Sequence, residues 1–219
     1  MRRQARVFGL IGVCFIGASV ASASTTSQRA SLPFEEFAPT WSPDGKQIAY
    51  VRGQRANIYD GFHSARIAVA TSNGSHRRLV TGTDAWSFDP AWSPDGTRIA
   101  FAEGPNISTI EPDGSNRQVV VQRPLVCFDP GGCSFSRDPA WSPDSKRIAF
   151  VTIYAPESTI AIVDAGGGEP RVIHTGKGRL QDLAWSPNGS RIAFARQGSG
   201  IYLMSPDGTH VRRLRTALR

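Results

Sequence analysis

The stretch Trp41-Ser42-Pro43-Asp44-Gly45-Lys46-Gln47-Ile48-Ala49-Tyr50 decides the fold, because close copies of it occur three more times. The later copies begin at Trp92, Trp141 and Trp185, so successive tryptophans are 51, 49 and 44 residues apart. A repeat of this length is typical of proteins built from similar structural units arranged in a stack or a ring. The chain is therefore expected to be a repeat protein rather than one irregular domain.

Each copy predicts a β-hairpin. In Ser-Pro-Asp-Gly the proline presets φ, the aspartate bonds its own backbone and the glycine accepts a positive φ, which together favour a tight turn. The aromatic residue before the turn ends one strand, and the Ile-Ala-Phe or Ile-Ala-Tyr run after it starts the next. Because this run is apolar at every position, we expect that strand to be covered on both faces.

Two further segments recur in every repeat. An apolar run ending in a glycine-containing turn begins at Ile67, Ile107, Ile160 and Ile201, and a segment with arginine follows at Arg77, Arg117, Arg171 and Arg212. Four antiparallel strands in 40–50 residues form one blade of a β-propeller. The sequence therefore predicts an all-β propeller of four four-stranded blades, either a closed four-bladed ring or an open arc of a larger propeller. The propeller is expected over residues 38–219, with blades at about 38–80, 89–121, 138–174 and 182–216.

The N-terminus has the features of a signal peptide. Arg2, Arg3 and Arg6 precede an apolar run over residues 7–20, and Ala21-Ser22-Ala23 fits a small-residue cleavage site. The run is short for a membrane span, although an uncleaved anchor is the alternative. We expect residues 1–23 to be removed, residues 24–37 to lead into the propeller, and the mature protein to be periplasmic or secreted without membrane insertion.

The charge distribution argues against nucleic-acid binding. The net charge is +7, but residues 1–23 contain three arginines and no acidic residue, which leaves +4 on the mature chain. The other cations are spread over the repeats instead of forming a basic face with aromatic residues. Arginines on exposed edge strands also discourage edge-to-edge aggregation, although a polyanion site on them is an alternative.

Cys127 and Cys133 are the two cysteines of the predicted mature chain. An exported protein folds in an oxidising compartment, where such a pair is usually a disulfide, and the residues between them form a turn-rich segment. Zinc binding is the alternative, but zinc requires four ligands and no second Cys/His pair lies nearby in the sequence. We therefore expect a disulfide and no metal site at the cysteines.

Three aspartates occupy the same position in three repeats. Asp89, Asp138 and Asp182 each stand three residues before the repeated tryptophan, where the first blade has Ala38. In a propeller these carboxylates would crowd at one mouth of the channel, where they could bind a basic peptide or a divalent cation. Alternatively, the aspartates only start the turn into the strand. No other cofactor and no catalytic residue is predicted.

The repeated phrase, followed by Ile201-Tyr202-Leu203-Met204 and Arg212-Arg213-Leu214, resembles the WD40-like PD40 repeat of the TolB family. The resemblance implies a non-catalytic, protein- or peptide-binding scaffold of the cell envelope. Propeller hydrolases and lyases, and the propellers of sensors and peptidases, have similar blades, so an enzyme or a truncated fragment of such a protein is the alternative. TolB-like propellers usually have six blades, and an arc of four would favour a homodimer through its apolar terminal blades.

Overall fold

The structure is a computed structural model that describes residues 33–55, 62–82, 86–123, 127–128, 132–154 and 156–214. Every regular element in these ranges is a β-strand, so they contain no helix that could cross a membrane. The predicted signal peptide and residues 24–32 of the lead-in lie outside the described residues.

Sixteen of the strands form four antiparallel sheets, each with its four strands in chain order. Blade 1 contains β1 (Phe34–Trp41), β2 (Gln47–Arg55), β3 (Phe62–Thr71) and β4 (Arg78–Leu79). Blade 2 contains β5 (Ser87–Trp92), β6 (Ile99–Glu103), β7 (Asn106–Ile110) and β8 (Gln118–Val121). Blade 3 contains β11 (Phe135–Trp141), β12 (Arg147–Tyr154), β13 (Glu157–Asp164) and β14 (Arg171–Lys177). Blade 4 contains β15 (Leu180–Trp185), β16 (Ile192–Arg196), β17 (Gly200–Met204) and β18 (Arg212–Arg213). The predicted all-β propeller of four four-stranded blades is confirmed.

The connection between blades 2 and 3 carries a short hairpin of its own. Its strands are β9 (Cys127–Phe128) and β10 (Gly132–Cys133), which pair with each other in a separate two-stranded sheet.

The Ser-Pro-Asp-Gly segments form the predicted turns. The Ser42 hydroxyl donates to Asp44 Oδ1 at 2.7 Å, and the Lys46 N–H donates to the same oxygen at 3.0 Å. Gly45 has a φ of 70°, which glycine adopts without strain. The hydrogen bond from Ser42 lowers the pKa of Asp44. The turn aspartate is therefore used to hold the hairpin.

Apolar side chains of consecutive blades meet in three cores. Phe101, Phe150 and Phe194 come from the second strands of blades 2, 3 and 4, and each is fully buried against the preceding blade. The neighbouring Ala149 and Val151 face the opposite way and are buried against blade 4. In the inner blades 2 and 3 the apolar second strand is thus covered on both faces, as predicted.

The first strands lie nearest the propeller axis and the fourth strands lie at the outer edge. β1, β5, β11 and β15 contact one another from blade to blade, whereas β4, β8, β14 and β18 are the last strands of their sheets. The first tryptophan differs from those inside the array, because Trp41 is 58% exposed whereas Trp92 and Trp141 are 9% and 6% exposed. Blade 1 therefore presents an uncovered face on the side away from blade 2.

Candidate functional site: a row of aspartates along the first strands

Each first strand contains a β-bulge just before its tryptophan. The pairing with the second strand shifts between Phe37 and Thr40, Phe88 and Ala91, Arg137 and Ala140, and Gln181 and Ala184. The first residue of each bulge has a positive φ, at 52° for Ala38, 53° for Asp89, 51° for Asp138 and 58° for Asp182. Aspartate tolerates this left-handed conformation better than most residues, which gives a local reason for its recurrence.

The structure brings the three predicted aspartates together as a row that crosses from blade to blade. The backbone N–H of Asp138 lies 3.4 Å from Asp89 Oδ2, and the N–H of Asp182 donates to Asp138 Oδ2 at 3.2 Å. We call Asp89, Asp138 and Asp182 the aspartate row. The carboxylates of Asp89 and Asp138 link neighbouring bulges, so these two residues support the fold. Ligand binding by the row stays a prediction.

The electrostatic environment changes along the row. Asp89 lies 3.6 Å from the Arg137 guanidinium, and the exposed Asp182 accepts a hydrogen bond from Gln181 Nε2 at 2.9 Å. Asp138 lies between the other two, and its burial, followed by the negative charge of Asp89, raises its pKa to about 6. The row can therefore accept hydrogen bonds or positive charge, and it gains a proton in mildly acidic solution.

The row begins at blade 2, because blade 1 has Ala38 at the equivalent position. Glu36, just upstream in β1, is exposed and forms an ion pair with Arg77 at 3.3 Å. Within the described ranges, no three His, Cys, Asp or Glu side chains are placed to hold a metal ion together. A divalent cation at the channel mouth therefore stays a prediction.

Cys127 and Cys133 face each other as a backbone pair in the β9–β10 hairpin. Directly opposite residues of antiparallel strands have Cα atoms about 4.5–5.5 Å apart, a separation that a disulfide can span. This pairing supports the predicted disulfide, which stays a prediction.

The histidines lie away from the first strands. His174 is in the outer strand β14 with its ring 5.2 Å from that of Phe194, and its burial lowers its pKa. His76 and His210 are exposed and follow turns before outer strands. His63 lies within β3.

Sequence reasoning missed a set of contacts that the repeated tryptophans make across blades. Trp141 Nε1 donates to the Ala91 carbonyl at 3.0 Å, and Trp185 Nε1 donates to the Ala140 carbonyl at 3.1 Å. The guanidinium of Arg98 lies 5.2 Å from the Trp141 ring centre, and that of Arg147 lies 5.2 Å from the Trp185 ring centre. The available signal was the arginine directly before Ile-Ala-Phe in the last three repeats, where the first repeat has Gln47.

Comparisons with known proteins agree with the geometry of the repeats. No family model matches the chain. The Tol-Pal system protein TolB of Alcanivorax borkumensis is 38% identical over 80 residues, which is 35% of this chain and 16% of that protein. The match therefore spans a small part of the curated relative.

Among solved structures, TolB from Acinetobacter baumannii has a TM-score of 0.61 at 22% identity, covering 79% of this chain and 42% of its own. An oligogalacturonate lyase in complex with manganese has a TM-score of 0.62 at 17% identity, covering 85% of this chain and 60% of its own. At these identities the structures show the fold alone. Together with the sequence match, they confirm the predicted resemblance: the chain is a β-propeller whose repeats are similar to those of TolB.

Proposed function

We propose that this chain is an exported, non-catalytic propeller of the cell envelope that binds a protein or peptide. The aspartate row is proposed to receive a basic segment of that partner. The observation that carries the proposal is the alignment of three carboxylates from three blades along the first strands, next to the propeller axis.

Three further points support this function. The relative matched in sequence is named as part of the Tol-Pal system, which favours an envelope protein with protein partners. The predicted signal peptide is consistent with export. The mature chain is basic overall, so a positively charged partner segment would be drawn to this local concentration of acidic groups and not to the outer surface.

The proposal is tested by capture of a partner from an envelope extract of the source organism. Asp182 is the residue to change, because it is exposed and its carboxylate contacts only the neighbouring Gln181 among the described residues. We expect Asp182→Asn to reduce capture by about tenfold, which corresponds to about 1.4 kcal/mol of binding free energy. Capture should also weaken below about pH 6, where Asp138 becomes protonated.

The matched control is Asp164→Asn, which removes the same charge from an exposed position at the end of β13. It should capture the partner as the unchanged chain does. Circular dichroism should show both variants folded. Equal capture by the two variants, or no capture by the unchanged chain, would contradict the proposed site.

No observation on the described residues favours a hydrolase or lyase. The likeness to the lyase is one of fold, at 17% identity. One scaffold of this kind supports many unrelated functions, so the fold alone does not transfer that activity.

A further inference from the structure

The interface between consecutive blades has two chemically different halves. We call the face of a blade toward the next one its outgoing face, and the face toward the preceding one its incoming face. In the contact between blades 3 and 4, the outgoing face supplies the Ala140 carbonyl, the Arg147 guanidinium and the Asp138 carboxylate. The incoming face supplies the Trp185 indole and the Asp182 N–H. The contact between blades 2 and 3 has the same composition.

Blade 4 presents a complete outgoing face that no other blade covers among the described residues. Ala184, Arg191 and Asp182 occupy the positions of Ala140, Arg147 and Asp138, and all three are exposed. In blade 3 the corresponding arginine is only partly exposed, because Trp185 lies against it. Among the described residues, no aromatic ring lies over Arg191.

The apolar part of this face is uncovered as well. Strand pairing places Ile201 opposite Ala195, in the way that Ile160 lies opposite Val151 in blade 3. Ile160 is fully buried against blade 4, whereas its counterpart Ile201 is 42% exposed. An exposed apolar residue at a position that is buried in the neighbouring blade indicates one half of an interface.

Blade 1 presents the complementary incoming face. Trp41 is 58% exposed, and Tyr50, Ala68 and Ala70 form a small apolar cluster with Ile48. In blade 3 the residues at these positions pack into the core shared with blade 2. On blade 1 the same surface is a cavity of about 240 Å³, which Ile48, Tyr50 and Ala70 help to line.

We propose that the outgoing face of blade 4 in one copy of this chain binds the incoming face of blade 1 in a second copy. The contact repeats the chemistry already present between blades 2 and 3 and between blades 3 and 4. Arg191 lies over the Trp41 ring, the Trp41 indole donates to the Ala184 carbonyl, and Asp182 accepts the Ala38 N–H. Ile201 enters the cavity beside Tyr50. This is a head-to-tail contact between two different surfaces. A dimer with one such contact keeps one free incoming face and one free outgoing face, whereas a dimer with two such contacts is a closed ring.

The test is sedimentation velocity over a range of concentrations, with the exported chain as purified. We expect reversible dimers or larger species for the unchanged chain. Trp41→Ala and Arg191→Glu should each weaken association by at least tenfold, since a central tryptophan and a stacked arginine commonly dominate an interface. The matched control is Trp86→Ala, which removes another half-exposed tryptophan outside the two faces and should leave association unchanged.

Mixing the two defective variants distinguishes a head-to-tail contact from a symmetric one. The Trp41→Ala chain keeps an intact blade 4 and the Arg191→Glu chain keeps an intact blade 1, so the mixture should form a heterodimer with one unimpaired contact. Failure of the mixture to associate would overturn the proposal. The proposal would also be overturned if the unchanged chain stayed monomeric at every concentration, even if another protein covered these faces.

Asp182 belongs to both the aspartate row and the outgoing face, so the two proposals must be separated. The Trp41→Ala variant does this, because Trp41 lies outside the row. Loss of association with retained capture of the envelope partner supports both proposals. If the variant loses both capture and association, the partner binds a surface formed by two copies of the chain. That result would contradict a site confined to one chain.

Discussion

The contact between blades 1 and 2 differs from the contact between blades 2 and 3, although both are built from the same repeated phrase. Between blades 2 and 3, Trp141 donates to the Ala91 carbonyl and lies under Arg98. Between blades 1 and 2, the Trp92 Nε1 atom is buried without a hydrogen-bond partner among the described residues, and Gln47 replaces the arginine. Ala38 likewise replaces the aspartate whose carboxylate would accept an N–H from blade 2.

The outer parts of the two contacts are nevertheless alike. Arg78 donates to the Pro112 carbonyl at 3.0 and 2.6 Å between blades 1 and 2, and Gln118 donates to the Gly166 carbonyl at 2.8 Å between blades 2 and 3. Both contacts also bury an apolar core. The comparison teaches that both contacts share an apolar core and an outer hydrogen bond. Their inner parts differ at the positions of Ala38 and Gln47, where blade 2 has aspartate and arginine.

The largest expected effect concerns Asp138, which has no counterpart in the contact between blades 1 and 2. Its pKa is raised from 3.8 to about 6, chiefly by burial and then by Asp89, so the folded chain binds this proton more tightly than the unfolded chain does. The free energy of unfolding should therefore fall as the pH rises from about 4 to about 6. We expect this residue to contribute about 2 kcal/mol to that fall.

Asp138→Asn keeps an oxygen that can accept the Asp182 N–H and removes the titration. Urea unfolding at pH 4, 5, 6 and 7 should give a flatter profile for this variant, with a gain in stability at pH 7. Asp164→Asn, at an exposed strand end, should keep the profile of the unchanged chain. If the stability of Asp138→Asn and of the unchanged chain depended on pH in the same way, Asp138 would not be the group whose titration changes the stability.

Most of the fold could be predicted from the sequence, because its determinants are local. The four Ser-Pro turns and the apolar second strands are readable from the local order of residues, and they predict four hairpins. The position of Asp89, Asp138 and Asp182 was also predictable, since they recur in phase with the tryptophans. Their bulges were not, because the repeat pattern does not reveal the register shift between the first and second strands of a blade. Their mutual hydrogen bonds were not, because these depend on the relative placement of two blades. The roles of Arg98 and Arg147 were missed for the same reason.

A smaller effect is expected from replacing the two buried tryptophans by phenylalanine. Both substitutions lose similar apolar contact, but only Trp141→Phe also removes a hydrogen bond and weakens a cation–π contact. Trp92→Phe removes an N–H that has no described partner. Because an unpaired buried donor is itself unfavourable, Trp141→Phe should cost about 1–2 kcal/mol more than Trp92→Phe. Urea midpoints measure the difference, and equal losses would mean that the two contacts are energetically alike.

The smallest expected effect comes from giving the contact between blades 1 and 2 its missing arginine. Gln47 and Trp92 line the same cavity of about 370 Å³, so a longer side chain has room there. Asp44 and Asp95 line it too, and their carboxylates would favour a guanidinium at that position. Gln47→Arg should therefore stabilise the fold by about 0.5–1 kcal/mol, as expected for a cation–π contact. Arg147→Gln should cost a similar amount, since that arginine lies over Trp185. If neither change shifts the urea midpoint, the stacked arginines contribute nothing to stability, and the difference between the contacts lies in the indole hydrogen bond and the aspartate.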